Sequence, residues 1–360
     1  MKIDIVRSFF RWYLRGKSTN QENINIDEIK KILVMSNTAI GDTLFCTPAI
    51  RLIKENYPEK KVITLLNPKN NLLFDNNPNI DNVILYSGKW LHFLNAMFQL
   101  RKQKIDLAFI MHSNEPQATP LAHCAGIKYI IKIPNDKNEF NFLHHNPVTE
   151  SNKNEHFIDR RLNQLEYIDI FKKSYQMEIF QKNEWRKSIN GLLNDDLINI
   201  GFQIGASTSS RMWFLDNWVD LSRLVLKHNM SWNIVLTGSS ADKSSASLIY
   251  SALSNDRVID LTGKLDLGSA SALIDKLDLL VTPDTGPLHI AAAMETPTIA
   301  ISVAGRAIES NPRSNSVNHI FIQKQKTCDP CIDKKCTFQK CMLQITALEV
   351  FEQICSIIEA

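Results

Sequence analysis

The chain has 360 residues, 44% of them hydrophobic and 22% charged, which is soluble-globular usage and excludes a disordered or fibrous protein. At roughly 150 residues per domain that length predicts two domains. Its 41 Lys and Arg face 38 Asp and Glu, so the net +3 gives no global reason to bind nucleic acid, and any anion site must be local.

In chain order, residues 1–27 are expected to be a basic amphipathic segment and linker. The stretch 1-MKIDIVRSFFRWYLRGK-17 places Arg7, Arg11 and Arg15 on one helix face and Ile3, Val6, Phe10, Tyr13 and Leu14 largely on another. It has no uninterrupted apolar h-region, so it does not read as a secretory signal, and the chain is expected in the cytoplasm. Its basic residues, with Phe9, Phe10, Trp12 and Tyr13 for the headgroup boundary, suit an anionic leaflet. The alternative is a helix that packs on its own domain.

Residues 28–185 form the expected first domain. The short apolar runs 31-KILVMS-36, 61-KVITLL-66, 82-NVILYS-87 and 105-IDLAFIMH-112 alternate with amphipathic stretches, the rhythm of a parallel α/β sheet. Residues 156–173 read as a helix, and 174–196 as the interdomain connection. The rhythm restarts in a second domain, 186–345, with strands expected at 198–205, 231–238, 257–263, 277–284 and 297–305. A last helix, 346–360, is expected near the domain junction. None of the apolar runs approaches the roughly 20 residues that span a bilayer. Two such halves suggest a cleft, with ligands at the carboxyl ends of the strands.

Three motifs carry candidate chemistry. In 36-SNTAIGDTLFCTPAIRLIKENYP-58 a strand gives way to a small polar turn and a helix start, whose free N–H groups suit an anion. Asp42 there is explained on its own as an N-cap. In 278-DLLVTPDTGPLHIAAAM-294 a buried strand runs into Asp284, Thr285 and Gly286 before Pro287 opens a small-residue helix, an arrangement that suits a diphosphate. Asp284 or Thr285 as a mere cap, and His289 as a satisfied core histidine, are the structural alternatives. In 201-GFQIGASTSSRMWF-214 the hydroxyls of Ser207 and Thr208 and the Arg211 guanidinium are candidates to hold phosphate oxygens. No G-x-G-x-x-G or Walker A sequence is present, which argues against a nicotinamide enzyme and a P-loop ATPase.

Taken together and in this order, these motifs resemble those of ADP-heptose:lipopolysaccharide heptosyltransferases, glycosyltransferase family 9. The likeness runs from about residue 30 to 358 and is most specific in 40-IGDTLFCTPAIRLIKENYP-58 and 284-DTGPLHIAAA-293. It implies an α/β GT-B fold of two Rossmann-like domains facing across a cleft, acceptor on the first and sugar nucleotide on the second, and inverting, metal-independent chemistry. By the same resemblance Asp42 is the general base, with Gly41, Thr43, His112, Asn114, Arg160 and Arg161 on the acceptor side and Lys132 a further basic candidate. The donor, ADP-heptose, is assigned to Ser207, Thr208, Arg211, Asp242, Thr262, Gly263, Asp284, Thr285, Gly286 and His289. Asp242 is placed on the ribose, Thr262 and Gly263 beside the adenine, and Asp284 on the heptose hydroxyls. The family's Lys-x-Trp-Pro stands here as 211-RMWF-214, which keeps the charge and alters the geometry.

Four of the seven cysteines, Cys328, Cys331, Cys336 and Cys341, follow C-x2-C-x4-C-x4-C spacing. They are donors for a structural zinc or iron site, or else reduced thiols or a local disulfide. No cofactor is expected for catalysis. The expected acceptor is the lipopolysaccharide or lipooligosaccharide inner core, met by a peripheral protein on the cytoplasmic face of the inner membrane, with no nucleic-acid partner. The alternatives are a protein O-heptosyltransferase using the same donor and an inactive GT-B binding protein.

Overall fold

The computed structural model describes residues 3–14, 24–114, 116–133, 135, 138–146, 154–303, 307–314, 316–328, 331, 336 and 340–360. The chain divides into two compact units, residues 1–177 and 178–360, ahead of the boundary expected after residue 185.

Among the described residues the first unit has five parallel strands: β1 (Lys31–Ser36), β2 (Lys61–Leu66), β3 (Asn82–Leu85), β4 (Leu107–His112) and β5 (Tyr129–Lys132). Their order is β3-β2-β1-β4-β5, so the chain turns back between β1 and β4. KILVMS and LAFIMH are almost continuously apolar because both faces of these central strands are covered. The helices are α1 (Ile3–Tyr13), α2 (Ile40–Leu44), α3 (Thr47–Asn56), α4 (Phe93–Gln103), α5 (Ala118–Cys124) and α6 (Phe157–Leu162). Pro48 sits in the first turn of α3, where its missing N–H costs no hydrogen bond.

Helix α1 is docked on this unit. Phe10 and Leu14 are buried, and the Phe10 ring lies 5.5 Å from Trp90 and 5.3 Å from Phe93. Tyr13, expected on the apolar face, is exposed together with Phe9 and Trp12. Arg11 pairs with Glu139 at 2.7 Å. Arg15 and the Arg7 side chain lie outside the described residues, as does most of the linker. The helix expected over 156–173 is much shorter: α6 passes into a 3-10 turn, Asn163–Ile168, that Asp169 closes in the left-handed region at φ 60.

Among the described residues the second unit has six parallel strands: β6 (Ile198–Gln203), β7 (Trp232–Thr237), β8 (Val258–Asp260), β9 (Leu279–Pro283), β10 (Thr298–Ser302) and β11 (His319–Gln323). Their order, β11-β10-β9-β6-β7-β8, puts the reversal between β6 and β9. The helices are α7 (Asn183–Ser188), α8 (Leu215–His228), α9 (Lys243–Leu253), α10 (Leu267–Asp275), α11 (Gly286–Ala293), α12 (Ala307–Ser310) and α13 (Ala347–Ile358). Helix α13, which holds the expected C-terminal helix, buries Val350 and Ile354 in this unit's core beside Trp218 and Val225 of α8. Both strand orders are those of Rossmann-like sheets, in which ligands sit where the order reverses.

Candidate functional site

At the reversal of the first sheet, the chain leaving β1 meets the end of β4. Asn37 donates its backbone N–H to the His112 carbonyl at 3.2 Å and its side-chain amide to the Tyr86 carbonyl at 3.1 Å, while Ser113 donates to the Asn37 side chain. Asp42 lies in the first turn of α2. The residue before that helix is Ala39, with no side-chain cap, so the carboxylate is not spent as an N-cap.

Three groups define that carboxylate. Thr38 Oγ1 donates to Asp42 Oδ2 at 3.2 Å and lies 2.6 Å from His112 Nδ1, which is itself 3.4 Å from Asp42 Oδ2. Thr38 has one hydroxyl proton, so donating it to Asp42 leaves the oxygen to accept from His112, which selects the Nδ1–H tautomer. On the other side Arg161 Nη2 is 3.6 Å from Asp42 Oδ1. Loss of hydration, and then the Arg161 and Lys132 charges, draw the His112 pKa below its ordinary value, partly opposed by Asp42. The His112 side chain is 47% exposed, so its desolvation is partial. The ring is neutral near pH 7.

Arg161 and Thr43, expected to face the acceptor, are buried instead. The Arg161 guanidinium donates to Cys46 Sγ at 3.2 Å, to the Phe157 carbonyl at 2.7 Å and to the Asp42 carbonyl at 3.3 Å. A fork this committed braces the α2 turn from beneath. Thr43 Oγ1 lies 3.1 Å from both the Ser36 and the Ala39 carbonyls, which share its one proton, and accepts from Asn70, so it stitches the same turn. Gly41 is also buried. Arg160 is half-buried over the Phe157 ring at 5.0 Å, Lys132 is buried at the end of β5, and Asn114 is exposed on the loop after β4. Thr38 and Asn37 are site residues that sequence reasoning missed, although both stand inside the quoted SNTAIGD motif.

The second unit repeats the plan. Arg211, following β6, donates to the Asp284 carbonyl at 2.9 Å at the end of β9, so the two loops meet at the sheet's reversal. Thr285 precedes α11 without a side-chain cap to the helix, and its hydroxyl donates to the Pro283 carbonyl at 3.2 Å. Asp284 and His289 are both buried, with Oδ1 and Nε2 4.0 Å apart. Beside them the loops after β7 and β8 close up. Asp242 Oδ2 accepts from the Ser239 N–H and hydroxyl at 2.8 and 2.7 Å, a capping box, while a Cβ on Gly205 would fall 2.2 Å from the same oxygen. Asp242 therefore has a structural task besides any contact with a ribose. Gly263, at φ 64, passes over Ser240 where a Cβ would lie 2.7 Å from its Cα. Thr262 Oγ1 is buried without a hydrogen-bond partner among the described residues. Ser207 is exposed, Thr208 lies 3.3 Å from the Ser210 hydroxyl, and Ser209 donates to the Cys336 carbonyl at 3.0 Å.

Cys328 is exposed and Cys331, Cys336 and Cys341 are half-buried, and most residues between them lie outside the described part. Among the described residues, the side chains drawn together as a metal donor set are His228, Cys355 and Glu359.

Comparison with known proteins agrees with this architecture. The model of glycosyltransferase family 9 (heptosyltransferase) matches residues 95–342. The lipopolysaccharide core heptosyltransferase OpsX of Haemophilus influenzae is 24% identical over 303 residues, covering 82% of this chain and 85% of that one. Lipooligosaccharide heptosyltransferase 2 of Campylobacter jejuni serotype O:2 is 27% identical over 337 residues, covering 90% of this chain and 97% of that one. The structure of ADP-heptose lps heptosyltransferase II from Escherichia coli shares the fold with a TM-score of 0.74 at 20% identity, over 91% of this chain and 98% of that one.

Proposed function

Because the chain belongs to glycosyltransferase family 9, the heptosyltransferases, we propose that it transfers heptose from ADP-L-glycero-D-manno-heptose to the lipopolysaccharide or lipooligosaccharide inner core, with inversion and without a catalytic metal. The observation that carries this reading is the Asp42 carboxylate. It is held at the reversal of the first sheet by Thr38, His112 and Arg161, and it keeps a solvent-facing share of its surface.

In the proposed reaction Asp42 removes the proton of an acceptor hydroxyl as that oxygen attacks the anomeric carbon. The bond from that carbon to the diphosphate oxygen breaks in the same displacement, so configuration inverts and ADP leaves with the electron pair. Charge grows on the departing diphosphate, which calls for fixed donors. Arg211 and the Gly286 backbone N–H at the start of α11 are the donors we assign to it. Thr262 Oγ1, buried and without a partner among the described residues, fits a ligand contact beside Gly263. Arg161 acts on the reaction only through Asp42, as a positioning residue.

The names of the relatives support the donor and acceptor: ADP-heptose for the Escherichia coli enzyme, lipopolysaccharide core for the Haemophilus influenzae one and lipooligosaccharide for the Campylobacter jejuni one. We further assign the protein to the inner face of the inner membrane, held by the exposed aromatic residues of α1 beside a lipid-linked acceptor. Among the described residues no helix is long and apolar enough to cross a membrane. The four clustered cysteines are proposed as a structural site apart from the chemistry, since four thiolates leave a metal no open position.

The test is transfer from ADP-heptose to a panel of truncated lipopolysaccharides, read as acceptor mass gain and ADP release, with and without chelator. One added heptose on one truncation, unaffected by chelator, is the expected result. Asp42→Asn should lower turnover by about a thousandfold or more while ADP affinity stays within about twofold. Near-normal turnover in that variant would remove Asp42 as the base.

A further inference from the structure

Helix α4 carries two opposite apolar faces, and the fold uses one of them. Phe93, Ala96 and Leu100 point into the first unit's core. Leu91, in the 3-10 turn that leads into the helix, is 87% exposed, and Leu94 and Phe98 are each 62% exposed. Spaced i, i+3, i+7, these three share one outer face. The helix hydrogen-bonds and packs without them, so the unit's own stability does not account for them.

The segment that carries this strip has charges of one sign. From Asn82 to Ile105 there is no Asp or Glu, where the chain's average would place two or three, while Lys89, Arg101, Lys102 and Lys104 are all exposed. Helix α1 docks against the start of α4 through the Phe10 contacts with Trp90 and Phe93 and adds a second exposed set: Phe9, Trp12 (71% exposed) and Tyr13. The Phe9 and Tyr13 rings stack at 5.9 Å. Two neighbouring helices thus present large apolar side chains bordered by cations. A protein groove would ordinarily pair such cations one by one, whereas a bilayer interface takes aliphatic and aromatic tips to a shallow depth and lets the lysines reach phosphate headgroups.

We propose that the outer face of α4, with Leu91, Leu94 and Phe98 at its centre, is a membrane-insertion surface that works together with α1 on an anionic phospholipid bilayer. This deepens the membrane-surface part of the proposed function and rests on it. It also moves the main apolar anchor from the N-terminal helix to α4. Two adjacent elements hold the unit at a defined tilt, which a single surface helix would not do.

The test is co-sedimentation of the full chain with vesicles of phosphatidylcholine, alone or with phosphatidylglycerol. We expect clear partitioning onto the mixed vesicles and little onto phosphatidylcholine alone. The triple variant Leu91→Ser, Leu94→Ser, Phe98→Ser should partition about tenfold or more weakly, and Trp12→Ser by a smaller factor. All four positions are exposed, so near-UV circular dichroism should be unchanged. ADP affinity and transfer to a lipid-free acceptor should also be unchanged, which separates this test from that of the enzymatic assignment. Wild-type partitioning by the triple variant would overturn the proposal, as would equal binding to both vesicle types. A lipid-independent dimer that the triple substitution dissociates, with vesicle binding unaltered, would assign the strip to a second copy and overturn it too.

Discussion

His112 and Arg161 are both basic residues beside one carboxylate, and their burial gives them opposite tasks. Arg161 is buried, and its guanidinium fixes the Asp42 turn. His112 is partly open, and its pKa is drawn below the ordinary value by desolvation, then by Arg161 and Lys132. The sign of the effect follows. Above the ordinary histidine value of about 6.5 the ring is neutral in any case, and the depressed value keeps it neutral somewhat further into acid. Once protonated, the imidazolium 3.4 Å from Asp42 Oδ2 attracts the carboxylate and weakens it as a base. We therefore expect kcat/KM to fall on an acid limb with its midpoint below about 6.5, and His112→Gln to move or remove that limb while activity near pH 8 falls by no more than about tenfold. An acid limb unchanged in His112→Gln would show that another group sets it.

At the scale of elements, the strands were more legible than what joins them. KILVMS, KVITLL and WNIVLT are short apolar runs that only a doubly covered parallel strand explains, and they appear as β1, β2 and β7. Tyr129–Lys132 and His319–Gln323 escaped notice because four or five residues at a sheet edge carry too little pattern. The 156–173 segment has helical periodicity, but Asp169 in the left-handed region ends it, and tertiary packing decides such a choice. The site divides the same way. Asp42 and the Asp284 loop stood out through turn chemistry, while the burial of Arg161 and Thr43 depends on which turn lies above them. Contacts between loops were equally hidden. Gly205 follows β6 and Asp242 follows β7, yet they touch so closely that a methyl on Gly205 collides with the carboxylate. Gly205→Ala should push Asp242 out of its capping box, costing about 1 kcal/mol in urea unfolding of the second unit. If Asp242 also serves the ribose, ADP affinity should drop in the same variant, and unchanged stability would mean that the box reforms around the methyl.

The molecule as a whole carries a built-in limit on the acid side, because each unit holds a histidine in its neutral form, buried in the first and half-buried in the second. In the first, His144 lies beside Thr119 with its pKa pushed down to about 3 by burial and then by Lys132 and His145. In the second, His319 bonds Thr298 and is pushed down to about 4 by burial, with Glu295 opposing. An unfolded histidine titrates near 6.5, so between that value and the folded one the unfolded chain holds a proton that the native chain does not. The stability that each neutral ring represents is complete above about pH 6.5. It declines by up to about 1.4 kcal/mol per pH unit as the pH falls toward the folded value. At about pH 5 each unit should have lost on the order of 2 kcal/mol relative to pH 7.5, read as urea midpoints at the two pH values. His144→Gln should flatten that dependence for the first unit alone, and His319→Gln for the second alone. If either single variant flattened both, the two units would unfold as one cooperative body. If neither flattened anything, the acid sensitivity would belong to the carboxylates instead, with Asp81 the foremost candidate, because its bonds to Lys54, Val62 and Lys61 hold its pKa below the usual range.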